Sequence, residues 1–144
     1  MLNKFIKQRV YVFIDAANTF YAQHTLGWKI SYEKMMKYFK EECGEDVKCF
    51  IYAAYDENKQ SEQKFLDMLD INGYILRTKA IKKIRLSADK NKHKGNLDIE
   101  LAFEMVEFSD NYDTAVLMSG DSDFSVPIDR IKKKGKQIIV GDCR

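Results

Sequence analysis

The stretch Val10-Tyr-Val-Phe-Ile14-Asp15-Ala-Ala-Asn18 decides the fold. Its first five residues are apolar without alternation and rich in β-branched and aromatic side chains. That pattern suits a strand buried on both faces, as in a parallel sheet. The run stops at a carboxylate. Working outward, Ser31 stands where an N-cap belongs for a helix to about Glu42, with Met35, Met36, Phe39 and Cys43 turned inward. Val47 to Tyr55 reads as a second strand, and Ser61 to Ile71 as a helix with Phe65, Leu66, Met68 and Leu69 inward, closed by Asn72-Gly73. Tyr74 to Ile81 is a third strand. Asn96 to Phe108 places Leu97, Leu101, Ala102, Met105 and Phe108 on one side of a helix. A fourth strand, Asp113 to Met118, runs into Ser119-Gly-Asp-Ser-Asp123. A short helix with Pro127 in its first turn then turns Ile128 and Ile131 inward, ends at Gly135, and leads to a last strand, Lys136 to Val140. Strands alternating with helices predict an α/β fold: a mostly parallel five-stranded sheet between helical layers. In such sheets ligands bind beyond the carboxyl ends of the strands, at the point where strand order reverses.

At 144 residues the chain is sized for one domain spanning 1–144, and 32% charged with 45% hydrophobic residues is ordinary for a folded, soluble protein. A net charge of +2 says little about partners, but its distribution says more. Between Lys79 and Lys94 stand seven Lys or Arg (Lys79, Lys82, Lys83, Arg85, Lys90, Lys92 and Lys94) against one acid, Asp89. That density suits a strip that tracks phosphates, although a charge run is more often a solvated loop. Cys43, Cys49 and Cys143 are odd in number and lack CxxC spacing, which argues against a disulfide framework and a thiolate zinc site. With no signal-peptide stretch and no apolar run of membrane-spanning length, a cytoplasmic setting is expected.

The chemistry concentrates at strand ends. Asp15 ends the first strand, Asp121 and Asp123 follow the fourth, and Asp98 opens a helix inside Lys94-Gly-Asn-Leu-Asp-Ile. Asp98 lies in line with Leu101, Ala102 and Met105, an awkward place for a charge without a partner. Hard divalent cations take oxygen ligands, and Mg²⁺ uses one or two carboxylates while keeping several waters. Carboxylates brought within about 4 Å repel by several kcal/mol at protein-like dielectric, and a bound cation reverses that sign. Each residue also has a purely structural explanation. Asp15 and Asn18 suit turns, Asp123 or Ser122 suits a helix cap, and Asp98 suits the positive end of a helix dipole. Glu104 falls off the Asp98 face and reads first as surface, and only secondarily as a residue supporting the site from behind.

Asp15-x-x-Asn18, Lys94-Gly-x-x-Asp98 before an apolar helix, and Ser119-Gly-Asp-Ser-Asp-Phe124 followed by Gly135-Lys136 and a strand together resemble the NYN domain. This is the LabA-like branch of the PIN-like nuclease group. The resemblance covers nearly the whole chain in order. It implies a PIN-like three-layer α/β/α domain with the first and fourth strands adjacent, stopping short of a last helix found in relatives. It also implies a Mg²⁺- or Mn²⁺-dependent ribonuclease in which Asp15, Asp98, Asp121 and Asp123 match the acidic, metal-holding positions. Asn18 and Ser119 match the polar positions beside them.

Lys94 adjoins the acidic motif, and Lys82, Lys83, Arg85, Lys90 and Lys92 extend a grip suited to single-stranded RNA. Tyr21, His24 and Trp28 suit either base stacking or the core. The leading expectation is endonucleolytic hydrolysis of single-stranded RNA. Alternatives are an RNA-binding or scaffold domain that keeps the acidic pocket without turnover, and a phosphatase-like hydrolase. The last is disfavoured because Ala17 stands where a second Asp belongs. A second copy of the chain or another protein is left open as a partner, and the sequence carries no nucleotide-cofactor glycine motif.

Overall fold

The computed structural model describes residues 9–16, 31–80, 97–119 and 123–141. The elements are β1 (Val10–Asp15), α1 (Tyr32–Cys43), β2 (Lys48–Tyr55), α2 (Gln60–Ile71), β3 (Ile75–Ala80), α3 (Asp98–Glu107), β4 (Thr114–Met118), α4 (Ser125–Lys133) and β5 (Gln137–Gly141). A short 3₁₀ turn, Phe108–Asn111, joins α3 to β4. The five strands form one sheet in the order β3-β2-β1-β4-β5, and every described pairing is parallel. The first and fourth strands are therefore neighbours, as the resemblance implies.

Alternation along β1 sorts the two cores. Val10, Val12 and Ile14 face α1 and α2, where Met36, Phe39, Leu66 and Leu69 are buried. Phe13 faces the opposite layer, with Leu101 and Met105 of α3 and Ile131 of α4. A strand buried on both sides has no polar face to alternate, which is why the sequence from Val10 to Ile14 is uniformly apolar. Tyr11, Phe13 and Phe50 pack as an aromatic group under α3, Phe13 stacking on Phe50 with centroids 5.4 Å apart.

Local signals act where the sequence puts them. The Ser31 hydroxyl accepts a hydrogen bond from the Lys34 amide and caps α1. Gly73 and Gly135 stop α2 and α4 with φ of +92° and +81°, values a side chain would strain. Among the described residues the third helix runs from Asp98, with Leu97 buried in the core as its cap residue, and the expected start at Asn96 lies outside them. Among the described residues no helix is long and apolar enough to cross a membrane.

Candidate acidic site at the carboxyl edge of the sheet

Strand order reverses between β1 and β4, since β1 connects outward to β2 while β4 connects outward to β5. The crevice above this pair is the switch point of the sheet. Asp15 closes β1 there with only 4% of its surface exposed. Ser119 directly follows β4, and its hydroxyl donates to Asp15 Oδ2 at 3.4 Å, while its amide donates to the Gly141 carbonyl of β5 at 3.2 Å. The structure thus brings together two positions separated by more than a hundred residues of sequence.

The other two described acids lie on the same edge. The third helix passes through its 3₁₀ turn into the amino end of β4, so its own amino end points back toward the carboxyl edge. Asp98 is its first residue and is partly buried. Asp98 and Glu100 both fall in the first turn, where the helix dipole favours negative charge. Asp123 stands just before α4 and turns back on it, its Oδ1 accepting from the Ser125 amide at 3.0 Å. That amide, with the Ser125 hydroxyl second, holds the Asp123 carboxyl below the usual range. The structural reading of Asp123 is therefore realised one residue earlier than a standard N-cap, since Phe124 occupies the cap position.

Asp121, Asn18, Lys82, Lys83, Arg85, Lys92 and Lys94 lie outside the described residues. So do Tyr21, His24 and Trp28. Among the described residues alone, no three His, Cys, Asp or Glu side chains form a group able to hold an ion. In kind, the donors at this edge are carboxylate and hydroxyl oxygens, the set a hard divalent cation takes. The thiols offer nothing comparable. Cys49 is buried at the start of β2, and desolvation pushes its thiol up to about 12. Cys43 is raised to about 11 for the same reason, so neither is a thiolate near neutral pH.

One polar cluster was misread from sequence. Glu104, expected at the surface, is partly buried between α3 and the sheet. Its Oε1 accepts from the Tyr52 hydroxyl at 2.6 Å, and Arg77 Nε reaches both of its oxygens at 3.0 Å. The Arg77 guanidinium also lies over the Phe50 ring, 5.4 Å from its centroid. Burial, then the Glu104 carboxylate, raises the Tyr52 hydroxyl far above its ordinary value, so Tyr52 stays a neutral donor. Single hints were present, an arginine inside a strand and an acid three residues after Leu101 on the same helix, but neither says that the elements align. Nearby, Lys79 pairs with Glu100 at 2.9 Å, so one cation of the basic run is already matched.

Comparison with known proteins agrees with this architecture. The chain is 34% identical over 139 residues to the low amplitude and bright protein LabA of Synechococcus elongatus, covering 94% of this chain and 74% of LabA. In fold it matches the crystal structure of a Vibrio parahaemolyticus protein of unknown function, VPA0982. That match has a TM-score of 0.78 at 22% identity and covers 94% of this chain and 82% of the other. The NYN domain family, whose members are generally nucleases or RNA-associated, matches residues 9–141. With residues 9–141 matched by the family and LabA 34% identical over most of both lengths, this chain belongs to the NYN domain family.

Proposed function

We propose that this protein is a divalent-metal-dependent ribonuclease that cleaves single-stranded RNA endonucleolytically. The observation that carries the reading is the buried Asp15 carboxylate, hydrogen-bonded to Ser119 across the β1–β4 crevice. A carboxylate held at the point where a parallel sheet reverses its strand order puts an oxygen donor where such sheets bind ligands, and oxygen donors are what a hard divalent cation takes.

In this reading Asp15, Asp98, Asp121 and Asp123 hold Mg²⁺ or Mn²⁺. Such an ion, when bound, acidifies a water and neutralises charge on the scissile phosphate. The chain's own residues do the rest. Ser119 orients the Asp15 carboxylate by donating to Oδ2. Asn18 and Lys94 contact the phosphate beside the acids, and Lys82, Lys83, Arg85 and Lys92 hold the flanking backbone by charge, without reading sequence. The advantage of a buried carboxylate is electrostatic: with little water around it, the lower effective dielectric strengthens its attraction for a cation at every distance.

A second reading, an RNA-binding or scaffold domain without turnover, has a specific observation in its favour. Asp123 spends an oxygen on the first turn of α4 rather than on the crevice. One experiment separates the two. Purified protein is incubated with labelled single-stranded RNA and DNA in Mn²⁺, Mg²⁺ or EDTA, beside Asp15→Asn and Asp121→Asn. The nuclease reading expects RNA cleavage that needs metal and falls at least about 100-fold in both variants, since outer partners of a metal site alone are worth 10- to 100-fold. Binding that survives both substitutions, with no cleavage in any ion, selects the scaffold reading.

A further inference from the structure

The Glu104 cluster occupies a particular row of the sheet. Asp15 on β1 is the register partner of Tyr52 on β2, and Tyr52 is the partner of Arg77 on β3. Strand alternation places Tyr52 and Arg77 on the face beneath α3, the face Asp15 shares with Phe13. Ser119 follows Met118, the partner of Ile14, and so continues the row onto β4. A line of polar side chains therefore runs along the carboxyl edge from Arg77 on β3 through Tyr52 and Asp15 to Ser119 just past β4.

From above, α3 contributes Glu104 to this row, and its first residue, Asp98, stands at the same edge of the sheet. The two acids are six residues apart on one helix, roughly 9 Å along its axis. Apolar contacts through Leu101 and Met105 hold α3 against the sheet, but burial of this kind is non-directional. Two donors from two strands, the Tyr52 hydroxyl and the one Arg77 Nε–H shared between both oxygens, give a directional hold on one carboxylate. Buried polar contacts of this kind fix register more surely than they add stability.

We propose that Glu104, held by Tyr52 and Arg77, is a positioning residue that sets the register of α3 on the sheet and thereby the place of Asp98 at the acidic crevice. The inference rests on the proposed metal-holding role of Asp15 and Asp98. It gives the Tyr52 hydroxyl and the Glu104 carboxylate a shared purpose beneath α3. Neither Glu104 nor Tyr52 need touch substrate.

The test measures Mn²⁺ affinity by titration calorimetry, together with kcat and KM for RNA, at a temperature where circular dichroism shows each variant folded. The variants are Tyr52→Phe, Glu104→Ala and Glu104→Gln, with wild type and Asp15→Asn as references. Expected are an affinity about 10-fold weaker in Tyr52→Phe and Glu104→Ala, a fall in kcat with KM little changed, and recovery of most of the loss in Glu104→Gln, which keeps an acceptor oxygen. A role confined to stability lowers the melting temperature and leaves Mn²⁺ affinity unchanged, and that result overturns the proposal. Should Glu104→Ala fail to fold, Tyr52→Phe decides alone, since it retains the packed ring. Wild type that binds no Mn²⁺, or Asp15→Asn that binds it equally, removes the metal site itself, and is distinguishable from intact wild-type binding with no effect at Tyr52 or Glu104.

Discussion

Asp15 and Ser119 differ in what their removal should do, and the difference follows from burial and distance. Asp15 is almost wholly shielded and supplies a charge, so Asp15→Asn keeps the shape and removes what a cation or a polarised water needs. Ser119 supplies one hydrogen bond at 3.4 Å, long for a hydroxyl donor. Its removal leaves the carboxylate in place with one partner fewer. The expected outcome in a cleavage assay is a loss of at most about 10-fold for Ser119→Ala, a hydrogen bond's worth, against the far larger loss for Asp15→Asn. Equal losses would mean that Ser119 contacts the substrate itself rather than steadying Asp15. Asp123 belongs to a third class, because its Oδ1 bond to the Ser125 amide gives it a share in starting α4 whatever else it holds.

Among the elements, α3 carries the greatest consequence for the site, since its inner face binds it to the sheet while its first residue is Asp98. Leu101 is fully buried near the middle of that face. Leu101→Ala should lower unfolding free energy by about 2–5 kcal/mol in urea titrations, because a cavity remains where the sheet and helix cannot both close. A cost below about 1 kcal/mol would show that α3 settles onto the sheet without it. Most of the elements were legible because their signals are local: the unbroken apolar run of β1, the Ser31 cap, and Gly73 and Gly135 as stops. Strand adjacency was not local, and only the family resemblance gave β1 beside β4. The Glu104 cluster escaped because its meaning depends on register. Tyr52, Arg77 and Glu104 come from three elements, and nothing in their sequence spacing says that two strands and a helix align them. The same holds for Ser119 reaching Asp15, which no periodicity within one segment can foretell.

At the scale of the molecule the two edges of the sheet are built for different ends. The amino edge is tied by charge: Arg9 grips Asp113 through its backbone amide and guanidinium, and Lys134 pairs with Asp110 at 3.0 Å. Arg9 holds the Asp113 carboxyl below its ordinary value of 3.8, and Lys134 does the same for Asp110. A carboxyl depressed by folding adds stability above its unfolded pKa and loses it as pH falls through the lower folded value. Melting temperature should thus hold from neutral pH to about 4 and fall below it, with a shallower fall in Asp113→Asn; an identical acid profile in that variant would show the pair to be inert. The carboxyl edge carries the proposed metal site, and the test there is stabilisation by the ion. Binding that favours the folded state adds RT ln(1 + [L]/Kd), about 2.7 kcal/mol at one hundred times Kd. For a chain near 150 residues each kcal/mol raises the melting temperature by about 2–4 °C, so saturating Mn²⁺ should raise it by roughly 5–10 °C. EDTA should reverse the rise and Asp15→Asn should abolish it, whereas the Asp113→Asn variant, altered only at the far edge, should keep it in full. A rise that persists in Asp15→Asn would place the ion elsewhere on the molecule and separate the buried carboxylate from metal binding.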